Sequence, residues 1–326
     1  MVSKKYERYF FIKSLVFLDF MNSLIFDEVT VVICSFFSHQ KLSKLVSTID
    51  SKFKILIIDN AREFNIKNYY NNLSNVNYYV PEKDLGLSGS YNYALYNCST
   101  KYIFITQPDV TLELNTIPKL YDAIKKYKNS AILSSKVVYD DDQLDTDYKL
   151  LKFNKNNKII NIKRKYQNYL SYDEIKGDIC VDAVTCTTMF INCEFIKKIG
   201  GWDDNFFMYC EDMDLCLRVR INGYQIIKVS DSKVKHLGFS SHSEDNNEIF
   251  NDKRNWHWSW SQIYFYRKHN SKYSFYKIVF KLVIISFIKL ILYSLLSKKK
   301  KRPYLFKFYG GIVSFINFSS FYRSKR

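Results

Sequence analysis

The chain has 326 residues, 47% hydrophobic and 25% charged, enough for one large domain plus an appendage. Its net charge of +17 is unevenly placed: from Asn251 onward seventeen Lys or Arg face one acid, Asp252, so the tail carries +16 and residues 1–250 only +1. The seven cysteines are odd in number, form no CxxC pair and lie mostly in apolar runs, which argues against a disulfide framework or zinc site and for reduced thiols in a cytosolic compartment.

The N-terminal stretch YFFIKSLVFLDFMNSLIF is apolar but broken by Lys13 and Asp19, too short to cross a bilayer, and without a small-residue cleavage site. Residues 1–27 read as an extension, either an accessory helix or a segment partly upstream of a start at Met21. Val29–Ser35 (VTVVICS) is a β-branched run expected as a buried parallel strand. Ser38 is placed to cap a helix carrying Leu42, Leu45, Val46 and Ile49, and Lys54–Asp59 (KILIID) follows as a second strand, completing a βαβ unit. Ile66, Tyr69, Tyr70 and Leu73 form a helical stripe before a strand at Val76–Val80. The segment Gly86–Ser90 (GLSGS) opens a helix near Tyr91–Cys98, and Tyr102–Thr106 is the next strand.

This alternation predicts an open α/β sheet whose ligand crevice lies at the carboxyl ends of its strands. Ser35, Asp59 and the run Gln107-Pro108-Asp109 stand at three such ends. Asp59-Asn60 and Pro108-Asp109 are also ordinary turn chemistry, but their convergence would suit a ribose, a pyrimidine edge and a metal-bound diphosphate. GLSGS does not satisfy GxGxxG and no P-loop lysine follows, so it serves either a close backbone approach to a nucleotide or a tight βα turn. Asp140–Asp147 and Asn154–Lys158 read as a surface excursion or hairpin, and Ile179–Val184, Thr188–Asn192 and Tyr224–Val229 as strands.

The most informative stretch is GGWDDNFFMYCEDMDLCLRVR (Gly200–Arg220), which puts Glu211, Asp212 and Asp214 at the start of a helix behind an aromatic, glycine-led loop. A helix N-terminus stabilises such carboxylates. Glu211 and Asp212 point about 100° apart on a helix, so one can act as a general base while the other supports it; a capped, solvated helix start is the bland alternative. His236 follows the Tyr224–Val229 strand, where an imidazole could complete a divalent ion's ligands or serve only structure.

Taken together, GGWDDNFFMYCEDMDLCLRVRINGY with its later His236, VVICSF, IIDNA, DLGLSGSYN and YIFITQPDV resemble the inverting family-2 glycosyltransferases of GT-A fold. The likeness runs from about Val29 to Ser240 and is strongest to the rhamnosyltransferase-like branch that builds bacterial surface polysaccharides. It implies a GT-A type, mostly parallel sheet flanked by helices, with a Rossmann-like nucleotide-binding half. It implies donor-side roles for Ser35, Asp59, Gly89, Asn92, Gln107 and Asp109. Asp59 would bind the nucleotide base, and Asp109, with His236 nearby, would hold Mg2+ or Mn2+ on the donor diphosphate. Asp212 would be the base that deprotonates the acceptor hydroxyl, with Glu211 supporting it. Gln107 stands where relatives carry an acid or amide, reducing the acidic pair to one carboxylate and putting metal dependence in question; Asp84 and Cys186 are further departures. The implied donor is dTDP-rhamnose, otherwise a UDP-hexose, and the acceptor a lipid-linked saccharide of O-antigen or capsule.

The transferase domain is expected over 28–250 and a basic, aromatic and apolar helical tail over 251–326. Residues 278–296 are strongly apolar but contain Lys281 and Lys289, each costing about 2.5–3.5 kcal/mol near a bilayer centre. An interfacial helix with snorkelling lysines is therefore favoured over a span. Lys298–Arg302 (KKKKR) would add about 1 kcal/mol per charge on anionic lipid, and residues 304–322 continue the apolar character around Gly310-Gly311. The expected location is the cytoplasmic face of the cell membrane, held peripherally. A competing reading takes the basic tail, with Trp256, Trp258, Trp260, Arg254 and Arg267, as a nucleic-acid surface on which bases stack. The carboxylate-lined crevice argues against that partner. A third reading, prompted by Gln107, is a non-catalytic sugar-nucleotide binder.

Overall fold

The run Val29–Ser35 forms β1, with every residue but Cys34 buried, because its two side-chain rows meet a separate core on each face of a sheet. Val29, Val31 and Ile33 enter one cluster and Val32 the other; β2 (Lys54–Asp59) and β4 (Tyr102–Thr106) divide alternately in the same way. The structure, a computed structural model, describes residues 24–139, 148–153, 159–163, 177–236, 247–270, 272–316 and 320.

The main sheet runs β3 (Val76–Tyr79), β2, β1, β4, β11 (Thr188–Asn192), β6 (Ser130–Val138), β12 (Gln225–His236), β5 (Val110–Leu112), with β9 (Ile179–Val181) pairing β12 off this path. From β3 to β4 all neighbours are parallel; β11 runs against β4 and β6, and β6 and β12 resume the first direction. Six of the nine strands thus point one way, and the mostly parallel α/β sheet flanked by helices is as expected. A second sheet joins β10 (Ala183–Val184), β7 (Tyr148–Phe153) and β8 (Ile159–Lys163).

A short helix at 24–28 (α1) leads into β1. On one face α2 (His39–Thr48), α3 (Phe64–Asn71) and α5 (Thr116–Lys126) bury Leu42, Leu45, Tyr70, Leu120 and Ile124. On the other, α4 (Gly86–Asn97), α6 (Cys193–Lys198) and α7 (Glu211–Ile221) bury Tyr91, Leu95, Ile196, Leu215 and Val219.

Several local expectations change. Ser38 makes no side-chain cap to α2; its hydroxyl instead accepts from the Phe36 N–H at 3.2 Å and meets the Ser35 hydroxyl at 3.2 Å. The stripe on α3 is not a buried face, since α3 covers the sheet's edge: Tyr70 is buried, whereas Tyr69 and Leu73 are 56% and 37% exposed. Ile179–Val184 is two strands, because β9 joins β12 while β10 turns to β7. The strand read at Tyr224–Val229 continues past a register shift to include His236, which pairs with Val110. β5, α5 and β6 add to the elements expected between Thr106 and Ile179. Asp140–Asp147, Asn154–Lys158, residues 1–23 and the end of the 304–322 run lie outside the described residues, although β7 and β8 flank 154–158 as an antiparallel pair.

The C-terminal part is three helices, α8 (Asn247–His269), α9 (Lys272–Leu296) and α10 (Lys298–Ile316). The expected boundary at 250/251 falls inside α8. Trp256 and Trp260 of α8 are fully buried in one cluster with Phe206, Met213 and Leu217, so these two are not available to stack bases, whereas Trp258 is half-buried with Lys307 over its ring. Gly310 lets α10 approach: a Cβ there would stand 2.3 Å from the Trp256 carbonyl oxygen. In α9, Phe275–Leu296 is a 22-residue stretch of mean hydropathy 2.3 that is long and apolar enough to cross a membrane, and most of it is exposed. Lys289 is turned onto α10, donating to the Tyr304 hydroxyl at 3.3 Å.

Candidate active site

β1 and β2 end together, with Ser35 in register with Asp59 and Ile33 in register with Thr106 of β4. The two donor-side positions Ser35 and Asp59 and the Gln107–Asp109 turn therefore share the carboxyl edge of the sheet. Both are buried. The Asp59 carboxylate accepts the N–H groups of Ala61 at 3.0 Å and Glu63 at 2.6 Å, and also the Tyr78 hydroxyl. Burial raises its pKa, partly offset by these bonds. The carboxylate expected to meet a nucleotide base is thus committed to holding the turn 59–63, in which Arg62 has a φ of 63°. Its neighbour Asn60, which sequence reasoning missed, donates to the Ser90 hydroxyl at 2.8 Å and accepts the Leu85 N–H at 3.0 Å.

The glycine turn is pressed on the loop before the acidic helix. Gly86 has a φ of 67°, and a Cβ there would lie 2.4 Å from the Phe207 carbonyl oxygen, which itself accepts the Leu87 N–H at 2.8 Å. Of the two openings left by the sequence, close approach to a nucleotide or a tight turn, the contact made is protein to protein. Gly89 lies within α4, where an added Cβ would meet the Leu85 Cβ at 3.1 Å. Asn92 turns to the same loop: its amide donates to the Trp202 carbonyl at 2.8 Å and Asp204 at 2.7 Å, and accepts the Trp202 N–H at 2.8 Å.

The loop leads through Tyr209 (φ 69°) and Cys210 (φ 64°) into α7. Two consecutive non-glycine residues in the left-handed region are sterically costly. They turn the chain so that Glu211 and Asp212 start α7, Glu211 buried and Asp212 half-buried with its carboxylate accepting the Met213 N–H at 2.7 Å. Their negative charge reaches the buried Tyr91 and Cys186, and that of Glu211 also reaches the half-buried Cys34. Burial pushes the Cys34 thiol up to about 12, with Glu211 adding to it. Burial, then both carboxylates among other groups, holds Cys186 and Tyr91 well above their usual values. Cys34 ends β1 beside Ser35 and shares a hydrogen bond with Ser90, so the acidic pair and the Asp59–Asn60 turn meet the same few residues.

Asp214 has a different task. Fully buried, it accepts from Arg218 Nε at 2.8 Å, lies 2.6 Å from Lys268 Nζ and pairs with His269 Nε2 at 2.7 Å. Burial alone would raise its pKa, but the His269 hydrogen bond and the Arg218 and Lys268 charges hold it well below the usual carboxylate range. Lys268 also donates to Asp203 at 2.6 Å. Apart from Arg218, four residues on, this ionic knot was invisible in sequence because Lys268 and His269 lie over fifty residues from Asp214.

Asp109 is buried, with one oxygen 3.7 Å from His236 Nε2. It borders a cleft with Lys41, Lys44 and Thr48 of α2; Gln107 is half-buried beside it. The Asp109 carboxylate suits either Mg2+ or Mn2+, which take further ligands from phosphate and water, whereas the His236 imidazole beside it suits the softer Mn2+ better than Mg2+. Among the described residues no group of three or more His, Cys, Asp or Glu forms a metal cluster.

Against known proteins, the family profile "Glycosyl transferase family 2" matches residues 30–191. Rhamnosyltransferase WbbL of Escherichia coli is 24% identical over 241 residues, 70% of this chain and 88% of its own. The low-salt glycan biosynthesis hexosyltransferase Agl10 of Haloferax volcanii is 21% identical over 202 residues, 60% of this chain and 62% of its own. Among solved structures, mannosyltransferase PcManGT of Pyrobaculum calidifontis in complex with GDP-Man and Mn2+ has a TM-score of 0.48 at 9% identity, covering 88% of this chain and 87% of that one. GalNAc-T7 with UDP, GalNAc and Mn2+ has a TM-score of 0.49 at 14% identity, covering 70% of this chain and half of that one. The profile match, the ordered motifs and the mostly parallel α/β sheet agree: the chain carries a family-2 glycosyltransferase domain over residues 30–191, with its likeness in the rhamnosyltransferase-like branch.

Proposed function

We propose that this glycosyltransferase moves a sugar, with inversion, from a nucleoside-diphosphate donor to a hydroxyl of a lipid-linked saccharide in surface-polysaccharide synthesis. The observation that carries this reading is the Glu211–Asp212 pair at the start of α7: both charges act on the buried Tyr91 and Cys186, and that of Glu211 acts on Cys34, next to Ser35 at the carboxyl end of β1. Asp212, the more accessible of the two, takes the proton of the acceptor hydroxyl. The acceptor oxygen bonds to the anomeric carbon as the bond to the diphosphate breaks on the opposite face, so one base suffices and no carboxylate nucleophile is needed. Glu211 supports that base. Asp59 keeps the turn 59–63 in shape as a rest for the nucleotide base, next to Ser35.

Asp109 and His236 would hold a divalent ion, which when bound would supply positive charge to the leaving diphosphate. The donor is dTDP-rhamnose or, failing that, a UDP-hexose. We take residues 28–250 as the transferase unit, preceded by an extension and followed by a membrane-associating region. The apolar α9 and the basic tail would lie on the cytoplasmic face of the membrane, bringing the acceptor's lipid to the enzyme.

A thermal-shift panel of dTDP-, UDP- and GDP-sugars tests the reading, since a ligand binding only the folded state adds about 2.7 kcal/mol at a hundred times its Kd. The expected result is a rise in Tm with dTDP-rhamnose or a UDP-hexose, larger with Mn2+ or Mg2+, the metal increment disappearing in Asp109→Asn. Response to no sugar nucleotide, together with DNA or RNA binding that falls steeply with salt, would overturn it. Donor binding without nucleotide release in the presence of a membrane-lipid extract would identify a non-catalytic binder.

A further inference from the structure

One face of α8 follows the site's lip from end to end. Phe250 packs on Phe36 and Phe37, just beyond β1, with ring centroids 5.3 and 5.9 Å apart. Arg254 Nε donates to the Tyr209 hydroxyl at 3.0 Å. His257 stacks on Phe207 at 4.5 Å. Ser261, fully buried, donates to the Met208 carbonyl at 2.6 Å. The Tyr264 hydroxyl donates to Asp203 at 3.0 Å, and Lys268 bridges Asp203 and Asp214. The spacing 250, 254, 257, 261, 264, 268 is one stripe of a helix, and its targets all lie at the site's rim, in the loop before Glu211 or in α7 itself.

That loop ends in the left-handed pair Tyr209 and Cys210, a conformation that persists only when the surroundings over-determine it. Cys210, at the N-cap of α7, offers no side-chain cap bond. α4 holds the loop at Trp202–Phe207, and α8 holds it further on, with two bonds on Met208 and Tyr209, the residues on which the turn begins. We propose that α8 is a strap that fixes the Tyr209–Cys210 turn and so aims Asp212, with Ser261 and Arg254 as positioning residues of the transfer reaction. The proposal rests on the reading of Asp212 as the base. It gives the helices beyond residue 250 a part in the chemistry as well as in membrane attachment: α10 is seated on the opposite side of α8, where Ser314 donates to the Trp260 carbonyl at 2.8 Å and Arg302 pairs with Asp252 at 2.7 Å.

The test uses the full chain, with hydrogen exchange in 208–213 and nucleotide release from dTDP-rhamnose with a membrane-lipid extract, for Ser261→Ala, Arg254→Gln and Asp212→Asn. Ser261→Ala and Arg254→Gln are expected to raise exchange in 208–213 about tenfold while β1 and β4 keep native protection. They are also expected to lower kcat about tenfold with the donor KM unchanged. Cys210→Gly in the Ser261→Ala background should recover kcat, because glycine takes the left-handed conformation without penalty; a role in overall stability alone would not be rescued this way. Native exchange at 208–213 in both folded variants would overturn the strap. So would raised exchange with native kcat while Asp212→Asn is inactive, leaving the base assignment intact. An active Asp212→Asn defeats the base reading instead, and the exchange result then reports on the turn alone.

Discussion

Gly86 shows how tightly single residues tune the site. Its φ of 67° and the 2.4 Å that a Cβ would leave to the Phe207 carbonyl oxygen mean that Gly86→Ala faces the left-handed penalty, about 1–2 kcal/mol, plus a clash with backbone that cannot swing aside. A loss of at least about 2 kcal/mol in urea melts is expected; a native midpoint would mean that the glycine turn and the 203–210 loop are not in contact. The sequence marked this glycine as special but could not say what it touches, since glycine reads alike whether a nucleotide or a carbonyl approaches. Asn92 carries the same lesson. Its motif position suggested the donor, whereas its amide fastens the Trp202–Asp204 loop, a pairing across more than a hundred residues that no local pattern encodes.

Among the elements, β1, β2, β4 and β11 were legible because a buried strand must be a continuous apolar run, and α7 because three carboxylates at a helix start have a physical reason to be there. The partner of α7 was not legible. The stripe of α8 that meets it reads Phe, Arg, His, Ser, Tyr, Lys, with no apolar periodicity to announce a buried face, and its contacts are mostly polar. Asp214 makes this junction measurable. Replacing it with Asn leaves Arg218, Lys268 and His269 without their shared counter-charge, a loss of roughly 3 kcal/mol at neutral pH. A carboxylate with a depressed folded pKa contributes its stability above its unfolded value, near 4, and loses it as pH falls through the folded value. The difference between native and Asp214→Asn proteins in denaturant melts should therefore be largest at neutral pH and shrink below about pH 4; a constant difference would place the charge elsewhere.

At the scale of the whole molecule, the uneven charge reports a division of labour. The near-neutral first 250 residues build the sheet and its carboxylate-lined edge, while the basic residues gather where α9 leaves Phe280, Ile288, Leu292 and Leu295 exposed. What composition concealed is that the two parts are continuous, for α8 belongs to the tail by charge and to the site by contact. The account depends most on Asp212 as the group that removes the acceptor's proton, and the direct measurement is nucleotide release by Asp212→Asn beside its donor-induced thermal shift. The account predicts turnover reduced by at least about 10²-fold with the shift retained. Turnover within a few-fold of the native rate would contradict it.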